Sequence, residues 1–141
     1  MTVRLLFGAV LAALAFPGAT SAGVQSLVFE SAPIQVDRYA VARDVQLVPS
    51  PSIDGYVVGM KADVVDLRGN PVPETDVMLH HVVFAKLGAP DSTCSSFIGY
   101  DGRSSSAITQ RFYAEGEEHF SMQLPDGYGY PNRGTDRWGL L

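Results

Sequence analysis

Apolar and polar positions alternate in short stretches along most of this chain, and nothing after residue 23 sustains the 3.6-residue apolar spacing of a helix. The segment Tyr56-Val57-Val58-Gly59-Met60-Lys61-Ala62-Asp63-Val64-Val65-Asp66-Leu67 is rich in β-branched residues and predicts a long strand, with Gly59 marking a bend. Arg68-Gly69-Asn70-Pro71-Val72-Pro73 supplies a turn, because Gly69-Asn70 tolerates positive φ while the two prolines prevent sheet pairing. A second strand is expected over residues 77–86, antiparallel to the first and joined to it by a loop of about nine residues, longer than a tight hairpin. His119-Phe120-Ser121-Met122-Gln123-Leu124 predicts another strand, with Phe120, Met122 and Leu124 on one face and His119 on the other. Shorter alternations at Ser26-Leu27-Val28-Phe29 and Val45-Gln46-Leu47-Val48, interrupted by Pro33, Pro49 and Pro51, suit edge strands or extended connections. Phe97-Ile98-Gly99-Tyr100 is a short extended piece between two loops, over residues 87–96 and 101–106.

Frequent turn signals, 14 glycines and 9 prolines point to an all-β fold, an antiparallel β-sandwich of jelly-roll-like kind. The first 22 residues have the pattern of a secretory signal: Arg4, an apolar run from Leu5 to Phe16, Pro17-Gly18, then the small-residue cleavage pattern Thr20-Ser21-Ala22. That run is about a dozen residues, short of the roughly 20 needed to span a bilayer, so cleavage and no remaining transmembrane anchor are expected. The expected organisation is a signal over 1–22, an extended lead-in over 23–54 and a sandwich domain over 55–141, in a secreted or periplasmic protein. The mature chain of 119 residues (141 minus 22) suffices for one domain. The last residues, Arg137-Trp138-Gly139-Leu140-Leu141, resemble the start of a strand, and they raise the expectation that the domain is a fragment lacking a C-terminal partner, the alternative being a terminal strand that docks its last apolar residues into the core.

Charge adds an exclusion. The net charge is −5, or −6 once Arg4 is removed, and the basic residues are scattered, so a nucleic-acid face has no support. Cys94 is the only cysteine, which forbids an intramolecular disulfide and leaves three readings: a buried small residue, an intermolecular disulfide, and a metal-binding or reactive thiol.

The adjacent pair His80-His81 lies in the apolar run Val77-Met78-Leu79-His80-His81-Val82-Val83-Phe84, where unpaired burial would be costly. In a regular strand the two side chains point to opposite faces, and only a bulge or a strand end turns both toward one site. With His119 they form the chain's one constellation of metal-ligand character, and imidazole suits copper, zinc, iron or nickel. The competing reading has His81 satisfied at the core or edge, His80 in solvent and His119 unrelated. Met60, Met78 and Met122 read as core filling, and Glu115-Gly116-Glu117-Glu118 as a solvated turn. No Gly-x-Ser-x-Gly elbow accompanies the serines or Cys94, and Gly127-Tyr128-Gly129-Tyr130-Pro131 is an aromatic turn, not a phosphate-binding loop.

The turn Val65-Asp66-Leu67-Arg68-Gly69-Asn70-Pro71-Val72-Pro73 followed by the His-His strand resembles the N-terminal domain of the copper type II, ascorbate-dependent monooxygenases. The plant stress-up-regulated nodulin-like proteins are similar across residues 55–84, and Gly127-Tyr128-Gly129-Tyr130 resembles their aromatic turn. The resemblance implies that His80 and His81 bind one copper and that His119 is the candidate third ligand. It also implies an electron-transfer role, with oxygen chemistry at a second copper in a following domain. The monooxygenase cysteines and the second domain's His-x-His have no counterpart here, so an enzymatic assignment stays open and the substrate unspecified. The expected function is thus an exported copper-binding β-sandwich domain. The alternative is a secreted structural or interaction domain without metal, with residues 128–130 as a contact surface.

Overall fold

A computed structural model describes residues 1–12, 23–91, 93 and 109–141. Ten strands form two antiparallel sheets, as the alternation predicts, and no helix occurs among the described residues. None is therefore long and apolar enough to cross a membrane.

The first sheet contains β1 (Thr2–Ala12), β2 (Val24–Glu30), β3 (Ile34–Gln35), β5 (Gly55–Asp66), β8 (Met122–Gln123) and β9 (Tyr130–Asn132). β1 lies between β2 and β5, pairing Phe7 with Phe29 on one side and with Ala62 on the other. β8 and β9 both lie along the far edge of β5, against Gly59–Met60 and Gly55–Val57 respectively. The second sheet runs β4 (Gln46–Val48), β10 (Trp138–Leu140), β6 (His81–Leu87) and β7 (Thr109–Gly116).

The described part of the leader-like apolar run, as far as Ala12, is built into this fold as β1. Its residues alternate with the period of a strand: Val3, Leu5, Phe7 and Ala9 are buried, while Thr2, Arg4, Leu6 and Gly8 are partly exposed on the opposite face. The cleavage pattern Thr20-Ser21-Ala22 lies outside the described residues, as do Cys94 and the extended piece 97–100. Residues before Gly55 are likewise more than a lead-in, since they supply three strands of the first sheet and β4 of the second.

The core lies between the sheets. Leu5, Phe7, Ala9, Val57, Met60 and Ala62 from the first sheet meet Val82, Phe84, Tyr113, Trp138 and Leu140 from the second. Phe7 and Phe84 touch across the interface with ring centroids 4.9 Å apart, in the tilted geometry favoured by aromatic quadrupoles. Near one end, Phe112 stacks on Tyr130 at 4.6 Å and lies 4.8 Å from Trp138. The bulge opposite Phe84–Ala85 inserts an extra residue into β7 there, between Arg111 and Tyr113.

One expected pairing and one expected strand differ. The strands over 56–67 and 77–86 are not partners: β5 belongs to the first sheet and β6 to the second, so the connection crosses between layers. That connection is anchored by Asp66, whose carboxylate accepts the Arg68 and Asn70 amides at 2.8 and 2.9 Å. The Asn70 side chain and these amides hold the Asp66 carboxyl below its ordinary value. The strand expected over 119–124 shrinks to Met122–Gln123, because the preceding residues form a turn instead.

The aromatic turn near residue 130 serves the fold. Asn132 is buried and donates from Nδ2 to the Pro51 and Ile53 carbonyls at 3.1 and 2.7 Å. Gly129 lies flush against Tyr56, where a Cβ would come within 2.5 Å of the tyrosine Cβ. Tyr128 alone of this group stands well into solvent, at 70% exposure.

Tyr113 and Tyr130 set an alkaline limit on stability. Burial is the main cause that raises both phenols, to about 12 for Tyr130, with the Glu115 carboxylate adding to the effect at Tyr113 and Asp136 at Tyr130. A raised acid favours its protonated form in the folded state, so the contribution is complete below the unfolded value of about 10 and is lost as pH rises beyond it. Urea denaturation midpoints should therefore fall steadily between about pH 10 and 12, and Tyr130→Phe should flatten part of that fall relative to the parent.

Candidate functional site

β6 begins at His81, and His80 precedes it in non-strand backbone. The strand-end condition for a shared site is thereby met: the two Nδ1 atoms lie 2.7 Å apart and the rings meet edge-on with centroids at 4.9 Å. Both side chains are exposed, in contrast to the burial suggested by the apolar run around them. Val82, Phe84 and Ala85, which follow, are the residues that enter the interior.

The opposite wall of this strand end is the tip of β7. His81 pairs with Gly116, and a Cβ on Gly116 would run into the His80 carbonyl, so glycine is what permits the approach. Glu117, Glu118 and His119 continue the chain as a turn closed by the His119 amide donating to the Gly116 carbonyl at 3.0 Å. His119 has φ of +48°, the left-handed region that L-residues adopt at some cost. Its imidazole is directed toward Glu74, with Nε2 to Oε1 at 3.8 Å.

The three expected ligands are thus divided two and one. His80 and His81 converge, and His119 faces a carboxylate from the connection between β5 and β6. No three His, Cys, Asp or Glu side chains gather as a metal-holding group among the described residues. The spacing of the converging pair can be compared with coordination geometry. With metal–nitrogen bonds of about 2.0 Å, adjacent corners of a square are about 2.8 Å apart and those of a tetrahedron about 3.3 Å apart. The observed 2.7 Å therefore fits two neighbouring positions of a square-planar or tetragonal ion, the preference of copper(II) and nickel(II) with nitrogen ligands. Without a metal the same contact is an N–H···N hydrogen bond, with one ring donating and the other accepting.

Glu115 corrects the expectation of a solvated acidic turn. It is 3% exposed, on the inward side of β7. Its carboxylate accepts the backbone amide of Ala62 in the opposite sheet at 2.6 Å and also accepts the Tyr113 hydroxyl. The charge therefore caps a backbone donor on β5 beyond the reach of β8, tying the two layers together. Its burial was hidden in the sequence by the neighbouring Glu117 and Glu118, both exposed. Alternation through Tyr113-Ala114-Glu115, buried-exposed-buried, is the signal that identifies it.

A second ionic anchor holds residues beyond β6. Asp91 accepts the Thr93 amide and hydroxyl at 2.9 and 2.6 Å and the Arg111 Nε at 2.5 Å, and the Thr93 and Arg111 bonds hold its carboxyl well below the usual carboxylate range. Lys86 reaches the Asp136 carboxylate at 2.9 Å and lies 5.4 Å from the centre of the Tyr130 ring. These groups are engaged in holding loops and offer no open coordination.

A cleft of about 370 Å³ is lined by Leu6, by residues 61–65 of β5 and by parts of the connection over 69–79, which bonds back onto β5 through the Val72 amide and the Val64 carbonyl. Leu79, the residue before His80, is part of its wall, and His119 stands at its mouth opposite Glu74. No family model, curated protein or solved structure matches the chain, so the fold and this geometry are what bear on its function.

Proposed function

We propose that this chain is a copper-binding β-sandwich domain in which His80 and His81 supply two adjacent nitrogen ligands. The observation that carries the reading is the 2.7 Å approach of their Nδ1 atoms at an exposed strand end. The strand end brings the rings together, the glycine at 116 allows close packing behind them, and solvent exposure leaves room for water or further donors to complete the coordination. Bound copper would supply one-electron redox chemistry there. The resemblance to the first domain of the type II copper monooxygenases supports electron storage as the role, with the substrate-attacking centre on another domain. The leader-like opening of the sequence supports export to an extracellular or periplasmic site in a form that keeps β1, since residues 2–12 are a strand of the first sheet.

Copper(II) titration followed by electron paramagnetic resonance tests this directly. One ion per chain is expected, with a tetragonal spectrum showing nitrogen coupling, and affinity should fall at least tenfold in His80→Ala and in His81→Ala. His119→Ala should bind as the parent does, since its ring is turned toward Glu74. Uptake of no copper, or a spectrum unaltered by both His80→Ala and His81→Ala, would overturn the reading in favour of a metal-free interaction domain.

A further inference from the structure

We propose that the cleft between the β5 edge and the 69–79 connection is a binding site for a small aliphatic amine, with Glu74 receiving the ammonium group. Three observations define the site independently of copper. The cleft volume of about 370 Å³ lies within the range of small-molecule sites. Its walls include the partly exposed apolar side chains of Val64, Val72, Val77 and Leu79, which leave a hydrocarbon surface facing open space. At the mouth, the Glu74 carboxylate has no lysine or arginine within ion-pair distance among the described residues. Lys61, the cation nearest in sequence on the lining, is instead joined to Asp63 at 2.7 Å, an interaction that raises the affinity of its ammonium for the proton.

The charge pattern selects the ligand. An anionic head would meet Glu74 and Asp63 on a chain of net charge −5, whereas an ammonium head would bring a full positive charge to Glu74, whose neighbour at the rim is the His119 imidazole at 3.8 Å. The His119 imidazole, held over the mouth by its left-handed backbone, offers a ring edge and a nitrogen beside that head group. An aliphatic body then covers the valines and Leu79. Each methylene removed from water in this way is expected to tighten binding about threefold to fourfold.

The probe is n-hexylamine hydrochloride, titrated into isotopically labelled protein at constant pH and ionic strength and followed by amide nuclear magnetic resonance. Saturable shifts are expected at Val64, Val72 and Val77, with butylamine binding about tenfold more weakly than hexylamine. Hexanoate should produce no saturation, and Glu74→Gln should weaken hexylamine at least fivefold while leaving the unliganded spectrum folded. The His80→Ala/His81→Ala double variant should bind hexylamine unchanged, which separates this site from the copper reading. Absence of saturable shifts, equal binding of hexanoate, indifference to Glu74→Gln, or loss of amine binding in the double variant would each overturn the assignment.

Discussion

A chain beginning at Gly23 should show no cooperative thermal or urea transition, whereas the full chain should show one. β1 sits between β2 and β5, so its removal takes away both neighbours' backbone partners along ten paired positions of β5 and seven of β2. It also removes Val3, Leu5 and Phe7 from the interior, each at 4% exposure or less. Burial of three such side chains contributes about 5–9 kcal/mol, comparable with the entire net stability of an ordinary domain. Circular dichroism and urea titration of residues 23–141 beside the full chain make the comparison. A sharp transition at an equal midpoint would show that the sandwich is complete without β1 and that the leader-like run is dispensable to it. Mass spectrometry of exported protein then reports directly whether the first residue is Met1 or Gly23.

Replacing Glu115 with alanine should destabilise the fold by about 2–4 kcal/mol, lowering Tm by about 5–15 °C. The cost arises on both sides of the sandwich. Ala62 is left with a buried amide lacking its acceptor, and the space of the carboxylate is vacated. Tyr113 retains one partner, since its hydroxyl also donates to the Phe120 carbonyl at 2.8 Å. Glu115→Gln keeps an acceptor oxygen and should recover more than half of the loss, whereas Glu117→Ala, at an exposed position, should stay within about 0.5 kcal/mol of the parent. Differential scanning calorimetry of the three variants checks the order, and a Glu115→Ala protein as stable as Glu117→Ala would remove the inter-sheet role.

The β-rich character of the chain was legible in its alternation, and β5 falls almost where the β-branched run places it, at Gly55–Asp66. The turn at Gly69 also forms, with φ of +83° at that glycine. Partner choice was not legible. β5 and β6 are consecutive long strands, and local pattern alone favours pairing them, but the core requires one in each layer. β7 escaped notice because Arg111, Glu115 and the following acids mask its alternation, although Tyr113 and Glu115 both point inward. β1 was ambiguous for a physical reason: an apolar run of a dozen residues satisfies both the requirements of an export signal and those of a buried strand. For the site, adjacency of His80 and His81 was informative, but their convergence depends on β6 starting at His81, and strand boundaries are set by tertiary pairing with Gly116. The position of His119 depends on a left-handed backbone that its strand-like surroundings do not announce.

The placement of β10 constrains how the chain can fold in time. β4 pairs with β10 through Val48 and Trp138, 90 residues apart (138 minus 48), and β10 is also the partner of β6 through Leu140 and Phe84. The second sheet therefore cannot close before β10 is made: β6 can pair with β7 on one side, but its other edge and the whole of β4 wait for β10. Such long-range closure carries an entropic cost before any contact rewards it, the feature that slows folding in β proteins dominated by non-local pairing. Until β10 is in place, Val82, Phe84 and Phe112 lack the cover that Trp138 and Leu140 give them in the folded core, an apolar surface of the kind that favours aggregation.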